Sequence, residues 1–156
     1  MRIGSLLLVV TVSVALVACG STGRRGLFLV EKPFLSTQRC DTQDCPPVTV
    51  TVTEAAGTCS GSVDFYVIDF RQGPGPHKVT WTITGNYVFS SEPYKFGIFI
   101  KNDPRKQFKN AVVQGNGKRL VIDFAHDYTG NGYEYSLNFQ RADGSFCDTL
   151  DPWMED

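Results

Sequence analysis

The chain offers few side chains for acid–base or nucleophilic chemistry, and its two histidines come first. His77 follows Pro76 in a turn-rich segment, and His126 precedes Asp127 ahead of another turn. Imidazole serves as a general base or a metal ligand near neutral pH, but a histidine beside a turn is more often a solvated loop residue. The Gly-x-Ser-x-Gly signature of many serine hydrolases is absent. The sequence therefore predicts no catalytic residue and no enzyme; a hydrolase whose acids meet only in the folded chain is the enzymatic alternative.

Metal ligands are the second chemistry to consider. Asp123, Asp127 and Asn131 bring oxygen atoms to a glycine-rich turn, but their spacing lacks the alternation and the closing Glu of a known calcium loop. Cys40 and Cys45 have the residue type of a zinc or redox pair, yet no histidine pair adjoins them in the sequence. The sequence predicts neither a metal nor another cofactor.

One short segment concentrates positive charge. It contains Lys101, Arg105, Lys106 and Lys109, with Phe108 among them. Contact with anionic lipid or glycan phosphates is the functional interpretation, because each basic residue near such a surface adds about 1 kcal/mol of attraction. The structural alternative, which such charge runs more often represent, is a solvated loop or a strand edge that discourages aggregation.

Four aromatic residues fall near predicted turns or in the last residues of the sequence: Tyr87, Tyr94, Tyr128 and Trp153. An exposed aromatic face can stack on a sugar ring or fill a pocket in a partner. These residues are candidates for ligand stacking, with a role in covering the core as the alternative.

The sequence begins with Arg2 and an apolar stretch that ends in Leu16-Val17-Ala18-Cys19. A charged start, an apolar stretch and small residues before a cleavage point are typical of a secretory signal. Leu16 to Cys19 resembles the lipobox of bacterial lipoproteins at every position. The resemblance implies that residues 1–18 are a cleaved signal peptide and that Cys19 becomes the lipidated N-terminus, carrying fatty acyl chains such as palmitate.

This anchor would place the protein in the cell envelope. Two or three acyl chains, at about 0.8 kcal/mol per buried methylene, hold a protein on a bilayer for long times. A transmembrane helix is disfavoured, since the apolar stretch is shorter than the roughly 20 residues needed to span. Gly20 after Cys19 resembles lipoproteins of the outer membrane. In an organism with two membranes, we therefore expect the protein on the periplasmic face of the outer membrane.

Four cysteines remain when Cys19 is set aside, and an even number in an exported chain indicates two disulfides. Three pairings are compatible with the count. The favoured one joins Cys40 to Cys45 in a short loop and Cys59 to Cys147 across most of the domain.

Alternation of apolar and polar residues with a period of two predicts the fold class. It appears at Val48-Thr49-Val50-Thr51-Val52, around Val79, Trp81 and Ile83, and along residues 133–139. Residues 63–70, 96–100 and 120–124 are apolar on both faces and are expected to form central strands. With turn residues between them, about seven or eight strands predict an all-β sandwich.

The segment from Gly132 to Phe139, followed by Asp143-Gly144, resembles the closing hairpin of immunoglobulin-like and cupredoxin-like domains. Cys59, Trp81 and Cys147 are also similar in layout to small uncharacterised exported bacterial proteins. The resemblance implies an Ig-like or cupredoxin-like sandwich. It does not imply copper, because Leu137 stands where a cupredoxin would have its Cys and the chain lacks the Cys, His and Met cluster.

The expected organisation is a signal peptide at 1–18, a lipidated N-terminus and tether at 19–46, and a β-sandwich at 47–156. Four apolar residues at 27–30 are expected to add an edge strand, with contact against the bilayer surface as the alternative. With 15 basic and 16 acidic residues, the chain lacks the positive charge that nucleic acid binding requires. The expected function is a structural or partner-binding role in the envelope, toward a protein or a glycan. An enzyme inhibitor or a glycan- or ligand-binding module is the alternative.

Replacement of the expected lipidation site gives a direct test of the anchor. In Cys19→Ser the acyl acceptor is lost, so the protein should no longer incorporate labelled palmitate and should leave the membrane fraction. Cys59→Ser, which removes a different thiol, should keep the label. Equal labelling of Cys19→Ser and the unaltered chain would contradict the lipobox interpretation.

Overall fold

The computed structural model of this protein describes residues 36–71, 73, 75–128 and 132–156. The expected signal peptide, the expected lipidation site Cys19 and the expected edge strand at 27–30 lie outside them. Within these ranges no helix is long and apolar enough to cross a membrane.

The described residues form twelve β-strands and one short 3-10 turn at Pro93–Lys95. The strands are β1 Thr37–Arg39, β2 Val48–Ala55, β3 Thr58–Val63, β4 Val67–Asp69, β5 His77–Ile83, β6 Tyr87–Phe89, β7 Ile98–Ile100, β8 Phe108–Gln114, β9 Arg119–Phe124, β10 Gly132–Leu137, β11 Phe139–Arg141 and β12 Trp153–Glu155.

The strands form two five-stranded sheets and one short pair. Sheet 1 has the order β1-β4-β12-β10-β7, sheet 2 has the order β3-β2-β5-β9-β8, and β11 pairs with β6. Both large sheets are mixed: β1 and β12 run parallel to β4, and β2 runs parallel to β5, whereas the other pairs are antiparallel.

One core joins the two sheets. Ile68 and Tyr135 from sheet 1 are buried in the same apolar cluster as Val50 and Trp81 from sheet 2. The Trp81 indole N–H donates to the Tyr135 hydroxyl at 3.3 Å, so the buried indole donor has a partner across the core. The prediction of an all-β sandwich is confirmed.

The period of two explains which side chains enter this core. Val48 and Val50 of β2 are buried, while Thr49 between them is only partly so. In β10, Tyr133, Tyr135 and Leu137 are all at most 2% exposed. Alternating side chains project to opposite faces of a strand, so the three alternating segments of the sequence become β2, β5 and β10.

Several strand expectations were wrong in detail. Residues 63–70 do not form one strand, because residues 64–66 separate β3 from β4. Residues 133–139 likewise divide at Asn138, which raises the strand count above eight. β7 is an edge strand rather than a central one, and its Phe99 is 63% exposed.

Two disulfides are present, Cys40–Cys45 and Cys59–Cys147, and the favoured pairing is confirmed. Cys59 lies in β3, and Cys147 lies after β11 rather than in a last strand. Residues 37–46 were expected to belong to a tether, yet β1 pairs with β4 and both Cys40 and Cys45 are buried. The sandwich therefore begins before residue 47.

Removing the two disulfides should have unequal effects on stability. Cys59 and Cys147 are separated by 88 residues and Cys40 and Cys45 by 5. In the chain-entropy model these loops correspond to about 4 to 5 kcal/mol and about 2 kcal/mol of unfolding free energy. Urea unfolding of the Cys59→Ala/Cys147→Ala and Cys40→Ala/Cys45→Ala variants measures both losses. An equal or larger loss for the short loop would contradict the chain-entropy assignment.

Candidate functional site

The two histidines, expected to be solvated loop residues, are buried and in contact, so that expectation was wrong. His77 is the first residue of β5, with 2% of its surface exposed, and the side chain of His126 is 6% exposed. Their rings meet because β5 and β9 are antiparallel neighbours that pair His77 with Phe124, two residues before His126.

The local backbone directs His126 into this position. Its φ is 52°, in the left-handed region that few non-glycine residues adopt. The ring then stacks on Phe124, with the ring centres 5.3 Å apart and the planes 22° apart. Phe70 packs against the ring of His77 at 5.0 Å. Aromatic packing thus encloses both imidazoles.

A chain of close polar contacts runs through the two rings to Asp156. His77 Nδ1 lies 2.9 Å from the carbonyl oxygen of Thr42. His77 Nε2 lies 3.1 Å from His126 Nδ1, and His126 Nε2 lies 2.7 Å from Asp156 Oδ1. The Asp156 side chain is fully buried. The contact between His126 Nε2 and Asp156 Oδ1 is close but lacks hydrogen-bond geometry, and Asp156 Oδ2 also has no hydrogen-bond partner among the described residues. We call His77, His126 and Asp156 the His–His–Asp chain.

The His–His–Asp chain requires one more proton than its neutral imidazoles supply. Its three contacts, from the Thr42 carbonyl to Asp156, need three protons to be hydrogen bonds. Two neutral imidazoles and an ionised carboxylate carry only two. With a third proton on Asp156 every contact is satisfied and no net charge is buried. Without it, one contact brings two acceptors together.

The electrostatic environment favours the neutral forms. Burial lowers the pKa of His77 from its usual value near 6.5, and burial raises the pKa of Asp156 above its usual value near 3.8. Both directions follow from the cost of charge in a poorly solvated site.

The Cys40–Cys45 disulfide lies next to His77, at one end of the His–His–Asp chain. Cys40 Sγ lies 3.4 Å from His77 Nδ1. The cysteine loop is attached to the sandwich by three backbone hydrogen bonds. Cys40 N–H donates to the Asp69 carbonyl, Cys45 N–H donates to the Lys78 carbonyl, and Lys78 N–H donates to the Gln43 carbonyl. The two sulfur atoms and one ring nitrogen of His77 all lie within 4.8 Å of one another.

A surface pocket of about 350 Å³ opens beside His77. Its polar wall consists of amides, two lysines and one carboxylate: Gln43, Gln107, Asn110, Lys78, Lys109 and Asp123. The β8 side contains a bulge, where the register shifts between Lys109 and Val112 and Asn110 adopts a φ of 54°. Bulges often redirect side chains next to functional sites. Asn110 is held there by donating to Asp123 at 2.9 Å.

The four basic candidates have different surroundings. Lys101 forms ion pairs with Glu134 at 2.7 Å and Asp151 at 3.0 Å, and the hydrogen bond that Lys101 donates to Glu134 raises the pKa of Lys101. Arg105 lies over the ring of Tyr128 at 3.9 Å. Lys106 and Lys109 are exposed, and Lys109 lines the pocket.

The four aromatic candidates also differ in how exposed they are. Tyr94 is 79% exposed and Tyr128 is 49% exposed, and one face of the Tyr128 ring is covered by Arg105. Tyr87 is partly buried and donates to Glu54 at 3.0 Å. Trp153 is partly buried in β12, and its indole covers Gly132, where a Cβ would collide with the ring.

One feature of the sequence does predict the burial of His77, although the neighbouring turn residues indicate an exposed loop. His77 shares the inward phase of Val79, Trp81 and Ile83 in β5, and all four are buried. Extending that alternation two residues toward the N-terminus assigns His77 to the core face. The contact of His77 with His126 depends on the pairing of β5 with β9. The contact of His126 with Asp156 depends on the position of Asp156 directly after β12 in sheet 1. The alternation of apolar and polar residues predicts neither contact.

No protein-family model matches this chain, and no curated protein shows significant similarity to it.

The lowered pKa of His77 predicts a pH dependence of stability. The contribution of a group with a depressed folded-state pKa is present above its unfolded pKa, here about 6.5, and is lost as the pH falls toward the lower folded pKa. The His77 contribution to the unfolding free energy should therefore decrease below about pH 6.5, by no more than about 1.4 kcal/mol per pH unit for one proton. The raised pKa of Asp156 acts in the opposite direction, since its contribution increases as the pH falls. Urea unfolding between pH 7.5 and pH 5 should show a smaller decrease in His77→Asn.

Lys78→Gln, an exposed change on the same strand, is the matched control and should keep the pH dependence of the unaltered chain. An identical decrease in His77→Asn and the unaltered chain would show that His77 is not held neutral by burial.

Proposed function

We propose that this protein is a non-enzymatic lipoprotein of the cell envelope whose β-sandwich binds another envelope component. The lipobox at Leu16-Val17-Ala18-Cys19 supports the location in the cell envelope. Two disulfides in one domain support an exported protein, because such bonds persist in oxidising compartments. In an organism with two membranes, we infer a location on the periplasmic face of the outer membrane.

The pocket beside His77 is the observation that carries the binding role. Gln43 and Asn110 bring amide groups to it, and Lys78 and Lys109 bring positive charge. The amide of Gln107 is buried and forms hydrogen bonds with Tyr133 and Asp127. Amides can donate to and accept from hydroxyl groups, and lysines attract phosphate or carboxylate groups. This wall suits an acidic or phosphorylated glycan, or an acidic loop of an envelope protein. The near-neutral charge of the whole chain gives no support for nucleic acid as a partner.

A second candidate, favoured by a different surface, is inhibition of an enzyme. Tyr94 precedes the edge strand β7 and Phe99 lies within it, and the two are 79% and 63% exposed. Exposed aromatic residues often act as anchors in protein–protein interfaces. Such a surface suits an apolar cleft in a partner protein better than it suits a glycan.

Crosslinking of the full lipoprotein in its own envelope tests both candidates. Lys78→Gln/Lys109→Gln should lose a captured partner, because the positive charge at the pocket is gone. Lys95→Gln/Arg119→Gln removes two charges outside the pocket lining and should capture the same partner. Mass spectrometry of the crosslinked species provides the comparison.

The outcomes separate the two surfaces. Loss of capture only in Tyr94→Ala/Phe99→Ala would favour the inhibitor role and reject the pocket. Equal capture by all variants, or no specific capture by the unaltered chain, would contradict the proposed binding role.

A further inference from the structure

Cys40, Cys45 and His77 form a group that could serve as metal ligands if the disulfide were open. The two sulfur atoms and a ring nitrogen of His77 lie within 4.8 Å of one another. Ligand atoms that share one zinc ion at bonds of about 2.0 to 2.3 Å are roughly 3.5 to 4 Å apart. The backbone already places the three groups at this scale. The sulfur atoms would have to separate, and the Thr42 carbonyl, which lies 2.9 Å from His77 Nδ1, would have to turn away from that nitrogen.

The His–His–Asp chain orients the imidazole for this role. His77 Nδ1 faces Cys40 Sγ and the Thr42 carbonyl, at 3.4 Å and 2.9 Å, and both neighbours are acceptors because the disulfide sulfur carries no proton. His77 Nε2 faces His126, which in turn contacts Asp156. Metal-bound histidines commonly donate their second ring N–H to such a partner, which fixes the ring and the tautomer. A cation at Nδ1 would therefore satisfy the end of the chain that otherwise requires a proton.

We propose that reduction of the Cys40–Cys45 disulfide converts this loop into a zinc site with Cys40, Cys45 and His77 as ligands. A dithiol reductant supplies two electrons and two protons, so the S–S bond breaks, two thiols form, and the reductant becomes a disulfide. Zn²⁺ then binds both sulfur atoms and His77 Nδ1 and displaces three protons, the two thiol protons and the proton on Nδ1. The two protons that remain in the His–His–Asp chain then lie on His77 Nε2 and His126 Nε2, and the Asp156 carboxylate accepts from His126.

Charge and ligand type favour zinc. Two thiolates cancel the charge of Zn²⁺, so the metal and its three ligands carry no net charge in a buried place. Sulfur and imidazole are the ligands that zinc sites use, and three protein ligands leave the fourth position for water. A monovalent cation with the same two thiolates would leave a net negative charge.

The surroundings provide access for both steps. Residues 41–44 of the cysteine loop are exposed, and Cys45 retains 6% of its surface whereas Cys40 is fully buried, so the approach to the disulfide is from the Cys45 side. The pocket beside the loop is lined by Gln43 and His77, so it leads to the proposed ligand. The proposal extends the function beyond partner binding and does not depend on which partner the pocket takes.

Competition for Zn²⁺ with a chromophoric chelator tests the proposal on the full-length lipoprotein in detergent. The phosphine-reduced protein should retain one Zn²⁺ per chain, and the oxidised protein should retain none. Cys40→Ser/Cys45→Ser should lose the site, whereas Cys59→Ser/Cys147→Ser, which lacks the other disulfide, should keep it. His77→Gln and His126→Gln should each weaken binding by about 10- to 100-fold, the first by removing a ligand and the second by removing the group that orients it.

Two further measurements keep the interpretation specific. Cd²⁺ should give a thiolate-to-metal charge-transfer band with the reduced protein and not with Cys40→Ser/Cys45→Ser, and circular dichroism confirms that each variant is folded. Failure of the folded, reduced protein to bind Zn²⁺ would overturn the proposal. Equal Zn²⁺ binding by folded Cys40→Ser/Cys45→Ser would also overturn it. Neither result would bear on partner capture at the lysine-lined pocket.

Discussion

The register of strand β5 is the constraint on which both the core and the site depend. β5 lies in the middle of sheet 2, parallel to β2 and antiparallel to β9. Every second side chain of β5 points into the core, namely those of Ile83, Trp81, Val79 and His77. A shift of the strand register by one residue would turn all four to the other face of the sheet. The burial of Trp81 against Tyr135 fixes the register. The same alternation therefore builds the apolar core and delivers an imidazole to its end.

The two disulfides act at different levels of this structure. Cys59–Cys147 joins β3 to the segment after β11, far apart in the chain, and constrains the unfolded state. Cys40–Cys45 closes a short loop whose sulfur lies against His77. Its main effect is to position the Thr42 carbonyl and the sulfur atoms beside a buried polar chain. The Cys40–Cys45 disulfide therefore constrains the unfolded chain less than Cys59–Cys147 does, but it lies in direct contact with His77.

The sequence predicts the fold better than the site for a physical reason. Alternation at Val48–Val50 and at Val79–Trp81 reports directly on burial, so the sandwich follows from it. The even cysteine count and their spacing also predict the disulfide pairing. His77 and His126 are separated by 49 residues, and their contact arises from the β5–β9 pairing and from the left-handed turn at His126. Turn chemistry around Pro76 pointed to solvent, and tertiary packing overrode it.

Nitrogen-15 NMR of the imidazole rings tests the central claim most directly, because it reports the protons on each nitrogen. In the oxidised protein the account predicts a slowly exchanging ring N–H on His77 whose signal shifts when Asp156 is replaced by Asn. This shift requires transmission through His126, since Asp156 contacts His126 and His126 contacts His77. A His77 ring with rapid N–H exchange, free titration near pH 6.5 and no response to Asp156→Asn would contradict a buried His–His–Asp chain.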